Sequence, residues 1–180
     1  MRYRPLRPKE KPHVVWVSGQ TGTGKTWKTW ERALEITGGS YDDIWVSNDN
    51  LQWMDGYFGQ SVAIIDDFRG TDCPFNKFLR ILDRYPFRLP FKGGFVIWEP
   101  KHILITSVLS PEHAYGERVY EDIRQLTRRI DEVIYYDKVY EDPEVPMAEE
   151  GEDVPERLER SVSYVNGVRA LPSLVSPHTE

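Results

Sequence analysis

Apolar positions along the chain switch between two periods. Val14, Val15, Trp16 and Val17 form a continuous β-prone run; after it, Trp27, Trp30, Ala33, Leu34 and Ile36 recur at helical spacing until Gly38 and Gly39 stop the helix. Four further short runs read as strands: "IWVS" at 44–47, "VAIIDDF" at 62–68, "HILITS" at 102–107 and "EVIYY" at 132–136. Between them, "NDNLQWMDGY" reads as a polar turn leading into a short aromatic segment. "PFNKFLRILDRY" at 74–85 places Phe75, Phe78, Leu79 and Leu82 on one helical face. "FRLPFKGGFVIW" at 87–98 alternates on both sides of Gly93-Gly94, which predicts a hairpin. A polar, helix-prone stretch opening at Pro111 precedes the last strand. Apolar strands alternating with helices predict an α/β fold: a largely parallel central sheet flanked by helices, with an inserted β-hairpin.

Composition narrows the class. A chain of 180 residues buries about 70% of its unfolded surface and folds without staples. No apolar run approaches membrane-spanning length and the opening residues lack a signal-peptide pattern, so cytosol or nucleus is expected and no membrane partner. The single cysteine, Cys73, excludes an internal disulfide, and His13, His102, His113 and His178 lack metal-ligand spacing. A net charge of −6 argues against a general nucleic-acid binder, but the charge is uneven. Residues 141–180 hold ten acids and three bases, leaving 19 acids and 20 bases in residues 1–140. The chain therefore divides into a basic, proline-interrupted linker at 1–11, a near-neutral folded domain at 12–140 and an acidic tail at 141–180 that reads as disordered.

The junction between the first strand and the first helix carries the chemistry. In "GQTGTGKT", residues 19–26, the glycines take backbone angles that let the loop curl its N–H groups around a polyanion. Lys25 supplies a point charge for the outer phosphates, Thr26 a hydroxyl for Mg2+, and the helix start the positive end of its dipole. This is the P-loop spacing, between the strand and helix it requires. Some 40 residues on, the apolar run at 62–65 ends in Asp66 and Asp67; ligands of open α/β sheets bind at such strand ends. Asp66 is placed to hold Mg2+ through water and Asp67 to orient and deprotonate an attacking water. At the hairpin tip, Lys92 beside Gly93 and Gly94 can pair with a phosphate backbone, with Phe91 and Phe95 as supports or stacking surfaces. Arg128 and Arg129 follow a helical stretch, where a guanidinium can reach a triphosphate on a neighbouring subunit.

In this order and spacing the segments resemble the superfamily 3 helicase domain, an AAA+-like P-loop NTPase, of the rolling-circle replication initiators (Rep) of small circular single-stranded DNA viruses, circovirus-like. The resemblance spans residues 12 to about 137. It takes Gly19, Gln20, Thr21, Gly22, Thr23, Gly24, Lys25 and Thr26 as Walker A and "LQWMDGYFGQSVAIIDDFRG" as the Walker B region. "RYPFRLPFKGG" is the motif called B-prime, "ILITS" motif C and "QLTRRI" the arginine-finger segment. It implies an ATP- and Mg2+-dependent DNA helicase, a homo-oligomeric ring of usually six subunits, and movement along single-stranded DNA through the hairpin tips. Arg129 is favoured over Arg128 as the finger. The chain departs from the family at motif C, which usually ends in a polar asparagine; here "ITS" runs into Val108, so Ser107 or Thr106 is expected to substitute. Rep proteins also carry an HUH endonuclease domain with paired histidines. No His-x-His pair occurs here, so nicking is not assigned to this chain, which reads as a helicase segment, a split product or a truncated Rep whose endonuclease lies on a longer or separate chain. A nuclear location follows if the virus is eukaryotic, a cytoplasmic one otherwise. The competing reading is a small P-loop phosphotransferase or nucleotide switch that does not act on DNA; the Asn-Lys-x-Asp segment of a GTPase is missing.

Overall fold

The apolar run that opens the domain becomes the inner strand of a sheet, which explains why it lacks alternation. In the computed structural model, which describes residues 10–48, 51–116 and 122–138 and the strand pair 164–165 with 168–169, β1 (His13–Gly19) is flanked on both edges. The five-stranded sheet runs β2 (Ile44–Val46), β3 (Val62–Ile65), β6 (His102–Ser107), β1, β7 (Glu132–Tyr136), with every neighbouring pair parallel. Both faces of such a sheet are covered, so Val14, Val15 and Trp16 are all fully buried.

The two faces differ in what covers them. Helix α1 (Lys25–Thr37) buries Thr29, Trp30 and Ala33 and packs on β1, β3 and β6. It stops at Gly38, whose φ of 64° is left-handed, with the Gly38 and Gly39 amides donating to the Glu35 and Leu34 carbonyls. Alternation sends Val14, Trp16, Ala63, Ile65, Ile103 and Ile105 to the other face, into an aromatic core. There Phe78 of α2 (Phe75–Ile81) stacks on Phe68 with ring centroids 4.2 Å apart, and Trp16 meets both rings edge-on. The hairpin β4 (Phe87–Phe91) and β5 (Gly94–Trp98) adds Phe87, Leu89 and Trp98 to the same core. Trp98 lies against Trp45 and Tyr57, so the hairpin is fastened to the body by ring packing.

Several boundaries differ from the sequence reading. The run at 62–68 ends as a strand at Ile65, because the chain turns at Asp66 and Asp67. The helix expected over 74–85 closes at Ile81. The hairpin turn is Lys92-Gly93 rather than Gly93-Gly94, since Gly94 already pairs with Phe91. After Pro111 the chain makes turns as far as Gly116; the next described helix is α3 (Arg124–Thr127), one turn long. The chain divides into two units, Met1–Tyr140 and Glu141–Glu180. Residues 1–9 of the expected basic linker lie outside the described residues, but Lys11 is tied to Asp131 by an ion pair at 2.6 Å. The acidic tail also lies outside them, apart from an antiparallel pair, β8 (Tyr164–Val165) with β9 (Val168–Arg169), which its composition did not predict.

Candidate functional site

Three strands deliver the site by ending at the same level. β1 ends at Gly19, where a Cβ would lie 2.3 Å from the Tyr136 carbonyl oxygen, so only glycine lets the chain leave the sheet beside β7. The loop then turns at Gly22 (φ 84°) and Gly24 (φ 74°), both left-handed, and Thr23 Oγ1 closes it by donating to the Gln20 carbonyl at 2.8 Å. Lys25, 8% exposed, folds its ammonium back onto the Gly19 and Gln20 carbonyls, each at 2.7 Å. Burial pushes the Lys25 pKa below its ordinary value, while the Asp67 and Asp66 carboxylates pull the other way.

Asp66 is the meeting point. Its Oδ1 accepts from Thr26 Oγ1 at 2.9 Å and from Thr106 Oγ1 at 2.7 Å, joining the ends of three elements, α1, β3 and β6. Its own amide donates to Ser47 Oγ at 3.2 Å, just past β2. Thr106 Oγ1 also accepts the Asp67 amide at 2.7 Å. Asp67 has φ 47°, the only positive φ outside glycine among the described residues. That turn leaves its carboxylate exposed, 3.2 Å from the Arg69 guanidinium. The carboxylate and hydroxyl oxygens of Asp66 and Thr26 are the hard donors that a Mg2+ ion takes, so the residues present fit that ion.

Of the two hydroxyls weighed for motif C, Thr106 stands in this cluster and Ser107 does not. Successive strand residues face opposite ways. Thr106 shares the α1 face with the P-loop, whereas Ser107, fully buried on the aromatic face, donates to the Phe68 carbonyl at 2.8 Å and accepts the Leu109 amide at 3.1 Å. Ser107 thus staples the segments that follow β3 and β6, a structural position rather than one facing a phosphate.

The paired arginines separate in the same way. Arg129 is spent inside its own chain, donating to the Asp83 carboxylate at 2.8 Å and to the Gln125 carbonyl at 2.7 Å, whereas Arg128 is exposed. The arginine favoured in the sequence reading, Arg129, is thus tied into its own fold, and Arg128 is left at the surface. Both precede β7, at the edge of the sheet where strands begin; the P-loop leaves from the edge where strands end. A five-residue strand, roughly 17 Å at 3.3 Å per residue, lies between. The structure does not bring either arginine to its own P-loop.

At the hairpin tip the Lys92 side chain is 80% exposed and Gly93 has φ 111°. Gly94 lies against the Phe91 ring, and Phe95 is 64% exposed. Sequence reasoning passed over two residues: Ser47 under Asp66, and Asp55, whose Oδ1 accepts the Lys92 amide at 2.7 Å. Asp55 sat unread in "WMDGY" as part of a turn; its one signal was a carboxylate between large apolar residues, Met54 and Tyr57, that anchor the turn in the core. A Tyr-x-x-Lys spacing, as a nicking tyrosine would need, is taken as missing in the sequence reading but does occur, at Tyr135–Lys138 near the end of β7. The neighbouring rings of His13 and His102 stand at the starts of β1 and β6, the opposite end of the sheet.

Comparison with known proteins finds a family and relatives for this domain. A family model described as RNA helicase matches residues 15–109. The replication-associated protein of Beak and feather disease virus is 43% identical over 126 residues, covering 70% of this chain and 39% of that protein. That of Canary circovirus is 36% identical over 128 residues, 71% of this chain and 40% of the relative. That of Porcine circovirus 1 is 36% identical over 120 residues, 67% and 36%. The chain spans about two-fifths of the length of the curated relatives it matches. With a P-loop, a strand-end carboxylate pair and a parallel sheet in the expected order, the chain belongs to the RNA helicase family, in the superfamily 3 form found in the Rep proteins of circular single-stranded DNA viruses.

Proposed function

We propose that this chain is the ATP-hydrolysing motor of a viral replication initiator, moving along single-stranded DNA as a homo-oligomeric ring, six subunits by the resemblance. The observation that carries the reading is the convergence of Thr26 and Thr106 on one oxygen of Asp66, beside a lysine folded into a glycine loop. In this reading the Lys25 ammonium exchanges its two carbonyl partners for the outer phosphate oxygens of ATP. Being desolvated beforehand, it loses little hydration in doing so. Thr26 and Asp66 would hold Mg2+, which would supply neutralisation of phosphate charge there. Asp67, aimed outward by its left-handed turn, accepts the proton of the attacking water, a role worth about 10^2 to 10^4 in rate. Thr106 fixes the Asp66 carboxylate through its hydroxyl proton and the Asp67 backbone by accepting its amide, and takes over the motif C role of the missing asparagine. Arg128 serves the P-loop of a neighbouring subunit, and Lys92 with Gly93 and Gly94 tracks the strand. The nicking activity of an initiator belongs to an HUH domain outside this chain.

The test is ATP hydrolysis by the chain alone, with single-stranded DNA and with single-stranded RNA, alongside native mass. Stimulation by DNA above that by RNA, in a ring-sized assembly, is expected. Stimulation by RNA alone would transfer the motor to RNA. Hydrolysis indifferent to both strands, in a monomer, would favour the phosphotransferase or nucleotide-switch reading.

A further inference from the structure

The segment between β2 and β3 grips the hairpin at two heights. Towards the tip, the Met54 amide donates to the Pro90 carbonyl at 2.9 Å. At the base, the Tyr57 hydroxyl accepts the Glu99 amide at 3.2 Å, one residue past β5. The segment is itself fixed: Leu51, Met54 and Tyr57 are buried, the Trp45 indole donates to the Asp55 carbonyl at 2.9 Å, and Lys77 donates to the Leu51 carbonyl at 2.6 Å. From this rigid base, the Asp55 carboxylate reaches the turn. Oδ1 takes the Lys92 amide at 2.7 Å, and Oδ2 lies 3.8 Å from the Lys92 ammonium. One carboxylate thus touches both the backbone that sets the shape of the tip and the charge the tip presents.

We propose that Asp55 is a positioning residue for the hairpin: it latches the Lys92-Gly93 turn through the backbone and competes with nucleic-acid phosphate for the Lys92 ammonium. The proposal rests on the reading that Lys92 contacts single-stranded DNA. Its two functions are chemically separable, because an amide oxygen accepts an N–H bond as a carboxylate does but carries no charge. Competition of this kind keeps a cationic tip from holding the strand too tightly, which suits a loop that must release and rebind as it advances. The Asp55–Lys92 pair is loose and its lysine well solvated, so the competition is modest, of the size measured for exposed ion pairs.

The experiment uses the full chain and a fluorescently labelled oligo(dT) strand, titrated at low and at near-physiological salt, with hydrogen exchange at the Lys92 amide. Asp55→Asn should bind about two- to fivefold tighter at low salt, with the Lys92 amide still protected. Asp55→Ala should lose that protection. The gain of Asp55→Asn should vanish in a Lys92→Ala background, because Asp55 acts through Lys92. Unchanged or weaker binding by Asp55→Asn, a gain that persists without Lys92, or retained protection in Asp55→Ala each overturns the proposal. The underlying reading fails on a different result. Lys92→Ala alone should weaken binding and lower the salt slope by roughly 0.7; if it binds oligo(dT) as the unaltered chain does, the hairpin's contact with DNA falls and the competition with it.

Discussion

At the scale of single residues, the site depends on which face of a strand or turn each side chain takes. Lys25→Ala is expected to abolish both nucleotide binding and hydrolysis, since it removes the buried charge held between the Gly19 and Gln20 carbonyls; near-normal turnover would take the P-loop out of the mechanism. The two carboxylates should part company. Asp66→Asn is expected to weaken Mg2+-dependent ATP binding, because the shared acceptor of Thr26 and Thr106 loses its charge. Asp67→Asn should bind ATP but lose hydrolysis by about 10^2 to 10^4. Binding by equilibrium titration and turnover under saturating ATP separate the two, and the reverse pattern would exchange their roles. Thr106 and Ser107 give a similar contrast. Thr106→Val should reduce turnover and also cost stability, because it strands the Asp66 oxygen and the Asp67 amide that its hydroxyl joins, whereas at Ser107 the loss should fall on stability alone. Ser107→Ala strands the buried Phe68 carbonyl and Leu109 amide and should lower unfolding free energy by about 1–3 kcal/mol, measured by urea denaturation.

At the scale of elements, the short helix α3 is held less by its own hydrogen bonds than by Arg129. One turn of helix is marginal by itself. Arg129 ties its end to Asp83, beyond α2, and Leu126 plugs it into the aromatic core. Burial pushes the Asp83 carboxyl up, but the hydrogen bonds from Arg129 and from the Arg84 amide, with both positive charges, outweigh it and hold it below its ordinary 3.8. A carboxylate depressed in the folded state stabilises fully above its unfolded value and loses that contribution as pH falls through the folded one. Thermal melts should therefore show a stability loss below about pH 4 that is smaller in Asp83→Asn. Equal acid sensitivity in the two proteins would remove the pair from the account. The same anchor fixes the turn that exposes Arg128, so Asp83→Asn should also cost activity in any assembly that uses Arg128.

At the scale of the whole molecule, the sheet places Arg128 and the P-loop at opposite ends, and this geometry favours completion of the site by a neighbour. Arg128→Ala and Lys25→Ala should each be inactive alone. Mixed before assembly, they should regain turnover at those interfaces where an intact P-loop faces an intact Arg128. Arginine fingers are worth about 10^3 to 10^5 in rate where measured, so even a minority of complete sites rises above the background. DNA-stimulated hydrolysis no higher than in the parents, in mixtures shown by native mass to contain both variants, would rule out the trans-acting role.

The sequence by itself determined the parallel sheet, the P-loop and its helix, the strand-end carboxylates and the hairpin. Each of these is written in local chemistry: continuous apolar runs for strands covered on both faces, glycine and lysine spacing for a phosphate loop, alternation about a turn for a hairpin. Tertiary structure alone decided between neighbours of like type. Thr106 and Ser107 are both hydroxyls, and only the alignment of β6 beside β3 and β1 shows which one meets Asp66. Arg128 and Arg129 are both guanidiniums, and only the arrival of Asp83 from 46 residues away consumes one of them. Asp55 was invisible for the same reason: its partner lies 37 residues on, and a carboxylate in a turn has no character until the fold sets a cation and an amide in front of it. Periodicity records how one segment faces its surroundings, whereas a contact between two distant segments is fixed by the packing that both of them enter.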